Sequence, residues 1–307
     1  MTKNRIFKSK HDWFFYISLM LLPCIQFFIF YIVVNFNSIL LVFQKFENGK
    51  FVFNGFNNFV EVFTKSSTIN NITINSLLTY GKKSLITYVF QMVFGFPFAI
   101  MFSFYIAKKY KGSGFFKVII YLPHMVSATV FVLMFKIFSD GAMLDVIEMI
   151  TGEKPFLGIT KGYPFELALI YTIWSSFGVN VLLYTGAMSQ ISDSIIESAQ
   201  LDGITPFKEM ILITIPLIYP TIVTFLVVGL AGIFTNQMNL YTFYGEFAND
   251  KAKTLGYFMY ATMKSSVTDY SDYPYLATLG IVLTAITMAI TFGARAILNR
   301  LDPMREY

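Results

Sequence analysis

Residues 14–42 read FFYISLMLLPCIQFFIFYIVVNFNSILLV, and this stretch decides the class of fold. It carries no charged side chain, and about 20 apolar residues are enough for a helix to cross a hydrocarbon core of roughly 30 Å. Four basic residues between Lys3 and Lys10 precede it, as they do in a secretory signal. The run is longer than a signal's apolar region, and no small-x-small cleavage site follows. We therefore expect an uncleaved first membrane helix, interrupted by Pro23.

Composition places the whole chain in the same class. Of its 307 residues, 55% are hydrophobic and only 13% are charged, whereas about a quarter of the residues in soluble domains are charged. Too few charged groups are present to cover a soluble core. The net charge of +5 does not indicate nucleic-acid binding, because the basic residues lie at the ends of apolar spans. Cys24 is the only cysteine, which excludes a disulfide within the chain and a cysteine metal cluster.

Further apolar blocks follow the first. We predict an all-α integral membrane protein that forms a single transmembrane domain, 1–307, with six transmembrane helices. The predicted spans cover approximately residues 14–42, 84–107, 116–138, 165–188, 217–238 and 275–298.

The distribution of basic residues predicts the orientation. With the N-terminus inside, the inner segments hold 12 of the 23 Lys and Arg residues; these segments are 1–13, 108–117, 190–216 and 295–307. The other 11 bases are spread over longer outer loops and are matched by acids. Since basic residues favour the cytoplasmic side, we expect both termini in the cytoplasm, with the chain in the plasma membrane. Lys82 and Lys83 oppose this orientation slightly.

The inner loop 190–216, between helices four and five, has helix signals of its own. Ser194-Ile195-Ile196-Glu197 is a capping box, which predicts a helix start with Ser194 at N-cap and Glu197 at N3. Gly203 lies about two turns later, where a helix end favours positive φ. Thr205-Pro206 then offers an N-cap and a first helical residue, and the second helix leads to Pro216. The sequence predicts helix, sharp turn and helix on the cytoplasmic face.

This loop resembles the EAA loop of ABC importer permeases, whose pattern is E-A-A, three residues, G, nine residues, I-x-L-P. Here Glu197-Ser198-Ala199 is followed after three residues by Gly203, and after nine more by Ile213-Thr214-Ile215-Pro216. Both spacings match. Ser198 replaces the second-position Ala, Ile215 replaces Leu, and the Asp that precedes the Gly is present as Asp202. Other segments are similar to carbohydrate-importer permeases, so that the resemblance spans about residues 14–300: Leu21-Leu22-Pro23, Asn75-Ser76-Leu77-Leu78, Gly95-Phe96-Pro97, Tyr121–Ser127 and Trp174.

The resemblance implies a role for the loop. In this family the short helix docks in a cleft on a separate ATPase subunit and transmits its closure to the membrane helices. Ala199 would allow close approach, Glu197 and Asp202 would supply charged contacts, and Ile195 and Ile196 an apolar face. The alternative is that Glu197 only caps its own helix and Gly203 only ends it. The residues that the resemblance assigns to ATPase coupling are Ile195, Ile196, Glu197, Ser198, Ala199, Asp202, Gly203 and Pro216.

The resemblance also implies a location in the bacterial plasma (inner) membrane. It implies these partners: a second homologous permease that makes a heterodimer, two ATPase subunits, an extracellular or periplasmic sugar-binding protein, and the lipid bilayer. The chain itself has no phosphate-binding loop, because Gly81-Lys82-Lys83-Ser84 has the wrong order. We therefore expect no catalytic site and no cofactor in this chain, with ATP and Mg bound by the partner ATPase. The two histidines, His11 and His124, have no metal-ligand spacing, so we expect no metal site.

Polar residues inside the spans mark a possible path for the cargo, since they are costly in lipid and usually face the bundle interior. The candidates are Trp174, Asn180 and Tyr184 in helix four, and Thr235, Asn236, Gln237 and Asn239 at the outer end of helix five. Amides match hydroxyl groups and aromatic rings stack on sugars, which suits mono- or oligosaccharides. Hydrogen bonding between helices is the alternative role.

The predicted function is a permease that carries sugar by alternating access. Two other functions stay open: an ABC permease for a non-sugar solute, and an ion-coupled secondary transporter. The second alternative predicts intramembrane carboxylates or inverted repeats, and the sequence shows neither. A membrane-bound sensor or enzyme would need a larger soluble domain than the outer loops provide.

Overall fold

The computed structural model describes residues 10–64, 73–152, 164–266 and 270–303, and this part of the chain is mostly helical. The prediction of a mostly helical protein is confirmed. One short β-hairpin departs from the all-α prediction. The basic residues Lys3, Arg5, Lys8 and Arg305, which enter the prediction of orientation, lie outside the described residues.

Four helices in the described ranges are long and apolar enough to cross a membrane: Trp13–Leu41, Ile74–Ala107, Pro164–Met188 and Tyr270–Arg300. Two bent pairs also qualify when each is taken as one span. These are Ser113–Met125 with Ala128–Thr151, bent by 101°, and Pro206–Leu217 with Tyr219–Ala231, bent by 71°. The described part of the chain therefore has four such helices, or up to six.

The individual elements of the first half are α1 (Lys10–Phe27), a π-helical turn (Phe28–Val33), α2 (Val34–Leu41), β1 (Gln44–Glu47), β2 (Lys50–Phe53), α3 (Asn57–Thr64), α4 (Ile74–Phe90), a π-helical turn (Gln91–Gly95), α5 (Phe96–Ala107), α6 (Ser113–Met125), α7 (Ala128–Asp140) and α8 (Ala142–Thr151). Those of the second half are α9 (Pro164–Met188), α10 (Asp193–Leu201), α11 (Pro206–Glu209), a π-helical turn (Met210–Thr214), α12 (Ile215–Leu217), α13 (Tyr219–Ala231), α14 (Leu240–Tyr244), α15 (Leu255–Ser265), a 3-10 turn (Tyr270–Asp272) and α16 (Tyr273–Arg300).

The chain divides into two compact units. The first holds Met1–Asn71 and Ser266–Val282, and the second holds Ile72–Ser265 and Leu283–Tyr307. In the first unit, apolar side chains of α1 and α2 are exposed on every side. A helix that is hydrophobic all round belongs in lipid or against another apolar surface.

The β-hairpin of the first unit was not predicted. Its strands pair antiparallel from Gln44 opposite Phe53 to Glu47 opposite Lys50. Asn48 and Gly49 at its tip both have positive φ, 51° and 76°, which is the conformation that a two-residue hairpin turn requires.

The core of the second unit lies between α5, α9 and α13. Its buried apolar residues include Ile100, Phe104, Val181 and Ile222. The Ser103 hydroxyl, fully buried, contacts the carbonyl oxygens of Ala99 at 2.6 Å and Val181 at 3.0 Å. The contact of the Ser103 hydroxyl with Val181 thus links α5 to α9, as polar side chains often do between membrane helices.

Two helix ends differ from the sequence prediction. α4 begins at Ile74 rather than near residue 84, because Thr73 caps it by accepting a hydrogen bond from the backbone N–H of Ser76. α13 ends at Ala231 rather than near residue 238. Met238 and Asn239 have φ of 53° and 56°, which no α-helix accommodates.

A close approach of two helices in the second unit predicts a strong stability effect. A Cβ atom on Gly178 of α9 would clash with the Ile120 carbonyl oxygen of α6. We expect Gly178→Ala to separate these helices and to destabilise the protein by about 1–3 kcal/mol, the usual cost of overpacking. Loss of thermal stability in detergent measures this effect.

Gly186→Ala is the matched control, because it lies in the same helix and a Cβ there meets no atom within 4 Å. We expect it to be neutral or stabilising, since Ala favours a helix interior by up to about 1 kcal/mol over Gly. Equal melting temperatures for the two variants would contradict the close packing of α6 on α9.

Candidate functional site

The 190–216 loop folds as a helix, a turn and a second helix. α10 spans Asp193–Leu201, with Ser192 at its N-cap. The prediction of Ser194 at N-cap is wrong: Ser194 lies in the first turn, where its hydroxyl oxygen is 2.8 Å from that of Ser192. Starting at Ser192 places the Asp193 carboxylate in the first turn, where the helix dipole favours negative charge. Glu197 is therefore not at N3.

A Schellman motif ends α10. The backbone N–H of Ile204 donates to the Ala199 carbonyl at 3.2 Å, and that of Gly203 donates to the Gln200 carbonyl at 3.0 Å. Gly203 has φ +74°, as predicted for this position. These bonds satisfy carbonyls that a helix end otherwise leaves without partners, so the turn after α10 is rigid.

The second helix follows at once. α11 has Thr205 at its N-cap and Pro206 as its first residue, as the sequence predicts. A π-helical turn and α12, which contains Pro216, lead to the 71° bend before α13. The loop is thus continuous with the second bent pair.

The residues assigned to coupling take different positions on α10. Glu197, Ser198 and Asp202 are exposed and Ile196 is half-buried. Ile195 is 42% exposed. Ala199, which the resemblance assigns to close approach, is buried at 6% exposure, so it lies on a face of α10 that packs against this chain.

Two further apolar residues of the loop were missed from the sequence. Leu201 is 88% exposed and Phe207 is 64% exposed, on either side of the Gly203 turn. The signal was available, since each is a large apolar residue next to a charged one, Asp202 or Lys208. Exposed apolar side chains with polar groups around them are typical of a protein-binding surface.

A polar cavity of about 250 Å³ lies between α4 and α13. Thr235 and Asn236, two residues of the predicted substrate path, line it. The side-chain oxygen of Asn236 accepts a hydrogen bond from the Met238 backbone N–H at 2.8 Å, which fixes this irregular segment. Sequence reasoning missed the facing polar residues of α4 and its π-helical turn, namely Ser84, Thr87, Tyr88 and Gln91.

A second cavity of about 110 Å³ adjoins the first, since Tyr88, Gln91 and Gly229 line both. Asn180 and Tyr184 of α9, also on the predicted path, line this second cavity. Together the two cavities reach the lower end of the roughly 300–1,000 Å³ of small-molecule sites. Hydroxyl and amide groups here offer hydrogen bonds to an uncharged polar solute.

The segment before α15 is held by hydrogen bonds beside the larger cavity. The Ser84 hydroxyl oxygen accepts from the Leu255 backbone N–H at 3.2 Å, and Lys83 Nζ donates to the Asp250 carbonyl at 2.6 Å. Hydrogen bonds from Lys253 and Tyr80 hold the pKa of Asp250 below its ordinary value, the bond from Lys253 being the largest cause. These contacts fasten the segment before α15 to α4.

The other predicted path residues do not line either cavity. Trp174 is 47% exposed and packs against Phe131, with ring centroids 4.6 Å apart. Asn239 hydrogen-bonds the Tyr171 side chain. Gln237 is half-buried, and its buried side-chain oxygen has no hydrogen-bond partner among the described residues.

Metal-binding side chains do not cluster: within the described ranges, no group of three His, Cys, Asp or Glu residues is placed to hold an ion. His124 lies in the last turn of α6, 5.7 Å from Tyr121 between ring centroids. Nothing in this geometry gives it a ligand role.

Comparisons with known proteins agree with this architecture. The chain is 27% identical over 282 residues to the probable ABC transporter permease protein YurN of Bacillus subtilis (strain 168), covering 89% of this chain and 92% of that protein. It is 20% identical to the arabinooligosaccharides transport system permease protein AraP of the same organism, over 87% of this chain and 83% of that one. A crystal structure of a bacterial alginate ABC transporter, in complex with an alginate pentasaccharide-bound periplasmic protein, has a similar fold. It aligns with a TM-score of 0.73 and 23% identity over 96% of each chain.

The family comparison covers nearly the whole sequence. The family model described as binding-protein-dependent transport system inner membrane component matches residues 15–306. This range includes the 190–216 loop and both cavities. The chain therefore belongs to this family of ABC transporter permease subunits.

Proposed function

We propose that the chain is the permease subunit of a bacterial ATP-driven importer, and that it carries mono- or oligosaccharides by alternating access. The observation that carries this proposal is the 190–216 loop, in which a short helix ends in a rigid Gly203 turn and exposes apolar and acidic side chains. A stiff helix continuous with a membrane span moves that span as a rigid body when it is pushed.

The proposed topology has six spans, because each bent pair is counted as one. The Pro206–Leu217 arm of the second pair belongs to the 190–216 loop and lies at the cytoplasmic surface, and Tyr219–Ala231 enters the membrane after the 71° bend. Both termini and the loop are then cytoplasmic, and the segment around Asp250 faces the outside. The positive-inside rule supports this orientation, since Lys108, Lys109 and Lys111 lie in the short loop between α5 and α6.

The nature of the two cavities supports a sugar as the cargo. Their polar groups are hydroxyls and amides such as those of Thr87, Gln91 and Asn180, and no charged residue among those that the structure describes lines either one. Two of the similar proteins named above are a permease of an arabinooligosaccharides transport system and an alginate ABC transporter.

The proposed partners are a second, homologous permease, two ATPase subunits and an external sugar-binding protein. Permease subunits of this family are not enzymes, so hydrolysis falls to the ATPase subunits, which would bind ATP and Mg. The surface formed by Ile195, Glu197, Leu201 and Phe207 is the proposed contact with an ATPase subunit.

Co-purification tests the assembly. We expect the tagged chain, extracted in mild detergent from its native membrane, to bring down a second permease and an ATPase in near-equal amounts, as measured by mass spectrometry. The isolated chain should show no ATPase activity. Recovery of the chain alone, or only with further copies of itself, would favour an ion-coupled transporter.

The Gly203 turn gives a sharper prediction. A β-branched side chain at φ +74° is strongly disfavoured, so we expect Gly203→Val to reorient α10 and to reduce uptake at least tenfold. Uptake of labelled sugar, normalised to the amount of chain in the membrane, measures this effect.

Gly203→Asn is the matched control, because Asn tolerates positive φ and a Cβ at this position meets no atom within 4 Å. We expect nearly normal uptake. If the Asn variant is as inactive as the Val variant, a contact that only Gly permits matters more than backbone conformation.

Gln91 tests the cavities, because it lines both. Gln91→Leu keeps the side-chain size but removes the amide. We expect uptake at saturating sugar to fall about three- to tenfold, since a lost hydrogen bond costs about 0.5–1.5 kcal/mol. ATPase activity stimulated by the loaded binding protein should persist, because docking precedes passage through the cavity.

The control is Gln26→Leu, the same substitution on the exposed surface of α1. We expect wild-type uptake. Unchanged uptake in Gln91→Leu as well would remove the two cavities from the path.

A further inference from the structure

A buried ion pair joins the 190–216 loop to α5. Lys108 is the residue directly after α5, and Glu209 is the last residue of α11. The Lys108 ammonium and the Glu209 carboxylate form a salt bridge, with side chains only 14% and 4% exposed. By contrast, the Lys45–Glu47 pair is 42% and 53% exposed.

The pair is also isolated from other polar groups. Among the described residues, neither Lys108 Nζ nor Glu209 Oε1 has a hydrogen-bond partner beyond their ion pair. The Phe104 ring lies 5.6 Å from Lys108 Nζ and adds an aromatic face to the ammonium's surroundings. If the two elements separated, each charge would be left buried and uncompensated, which is strongly unfavourable.

A buried ion pair fixes the relative position of two elements more strictly than apolar contacts do. Apolar side chains exchange neighbours at little cost when one element slides past another. A single buried charge that faces a single opposite charge has one favourable position. The contact therefore resists movement of α11 relative to the end of α5 in both directions, pull as well as push.

The ion pair joins α11 to α5, and each of these elements leads to a further part of the site. On one side, α11 follows the rigid Gly203 turn and α10. On the other side, α5 runs for 12 residues back to Phe96, about 18 Å at 1.5 Å per residue. Phe96 and the adjoining Gln91 and Gly95 line the second cavity. The apolar cluster beside the pair contains Met210 and Ile106, one from each side.

We propose that Lys108 and Glu209 are positioning residues that transmit movement of the 190–216 loop to α5 and so to the wall of the cavities. This role rests on the proposed function, because it needs an ATPase subunit that moves the loop. Lys108 and Glu209 line neither cavity and are not part of the surface proposed to contact the ATPase. Their role is to couple movement of that surface to movement of the cavity wall.

The test compares three changes to the pair in the assembled transporter with its binding protein: Lys108→Met, Lys108→Met with Glu209→Leu, and the exchange Lys108→Glu with Glu209→Lys. Three quantities are measured for each variant: ATPase that co-purifies with the chain, hydrolysis stimulated by loaded binding protein, and sugar taken up. The ratio of uptake to hydrolysis reports coupling separately from folding.

We expect Lys108→Met to lower assembly, because Glu209 is left as a buried unpaired charge. The double apolar variant should regain assembly and hydrolysis, while its ratio of uptake to hydrolysis stays at least tenfold below wild type. The exchanged pair should recover part of that ratio. Lys111→Met and Lys208→Met remove exposed charges nearby and should leave all three quantities unchanged.

A double apolar variant with the wild-type ratio would overturn the proposal, since the pair would then only stabilise the fold. A wild-type ratio in Lys108→Met would overturn it as well. If the wild-type chain itself co-purifies with no ATPase, the proposed function is wrong, and the coupling role that rests on it is wrong too. This outcome is distinguishable, because it is measured on the wild-type chain before any variant is made.

Discussion

Backbone N–H and C=O groups inside a bilayer meet no water, so each must find a partner within the protein. This requirement explains why the apolar blocks are helices, and it also governs where they break. At the 71° bend, the Thr214 carbonyl accepts from the Ile218 N–H at 3.0 Å, and the Ile218 carbonyl accepts from the Thr221 N–H at 3.0 Å. At the 101° bend, the Ser127 carbonyl accepts from the Phe131 N–H. These hydrogen bonds pair part of the backbone at each change of direction.

The same requirement determined how much of the fold was predictable. Length and hydropathy reveal helices that must satisfy their own backbone, so the apolar blocks could be located from sequence. Ends depend on local partners that hydropathy does not see. Thr73 starts α4 within a polar stretch, and the positive φ of Met238 and Asn239 excludes helix where apolar residues continue. The hairpin was missed although Asn48-Gly49 is a strong turn signal, because its strands are short and directly follow a membrane helix.

The candidate site was predictable only where its signal is local. Gly203 and the Thr205-Pro206 pair specify a turn and a helix start through their own backbone preferences, and the structure has both. The burial of Ala199 depends on which face of α10 meets the rest of the chain, and spacing alone does not determine that face. Gln91 illustrates the same limit for the cavities. It lies in an apolar span, and only the packing of α4 against α13 gives its amide a polar neighbourhood.

Leu201 and Phe207 are exposed, so the stabilisation that their burial would give requires a partner outside this chain. Burying a Leu or Phe side chain is favourable by roughly 1.5–3 kcal/mol, so a loop that leaves both in water forgoes that stabilisation when it is alone. The rigid turn cannot fold them inward, because Gly203 and its Schellman hydrogen bonds fix the direction of α11. In the proposed docking, Glu197 and Asp202 would offer a basic partner two charged contacts beside the two apolar side chains. Such a contact would be small, so its affinity would depend on how little conformational entropy the loop loses on docking. A rigid loop would then favour binding as well as transmit movement to the membrane helices.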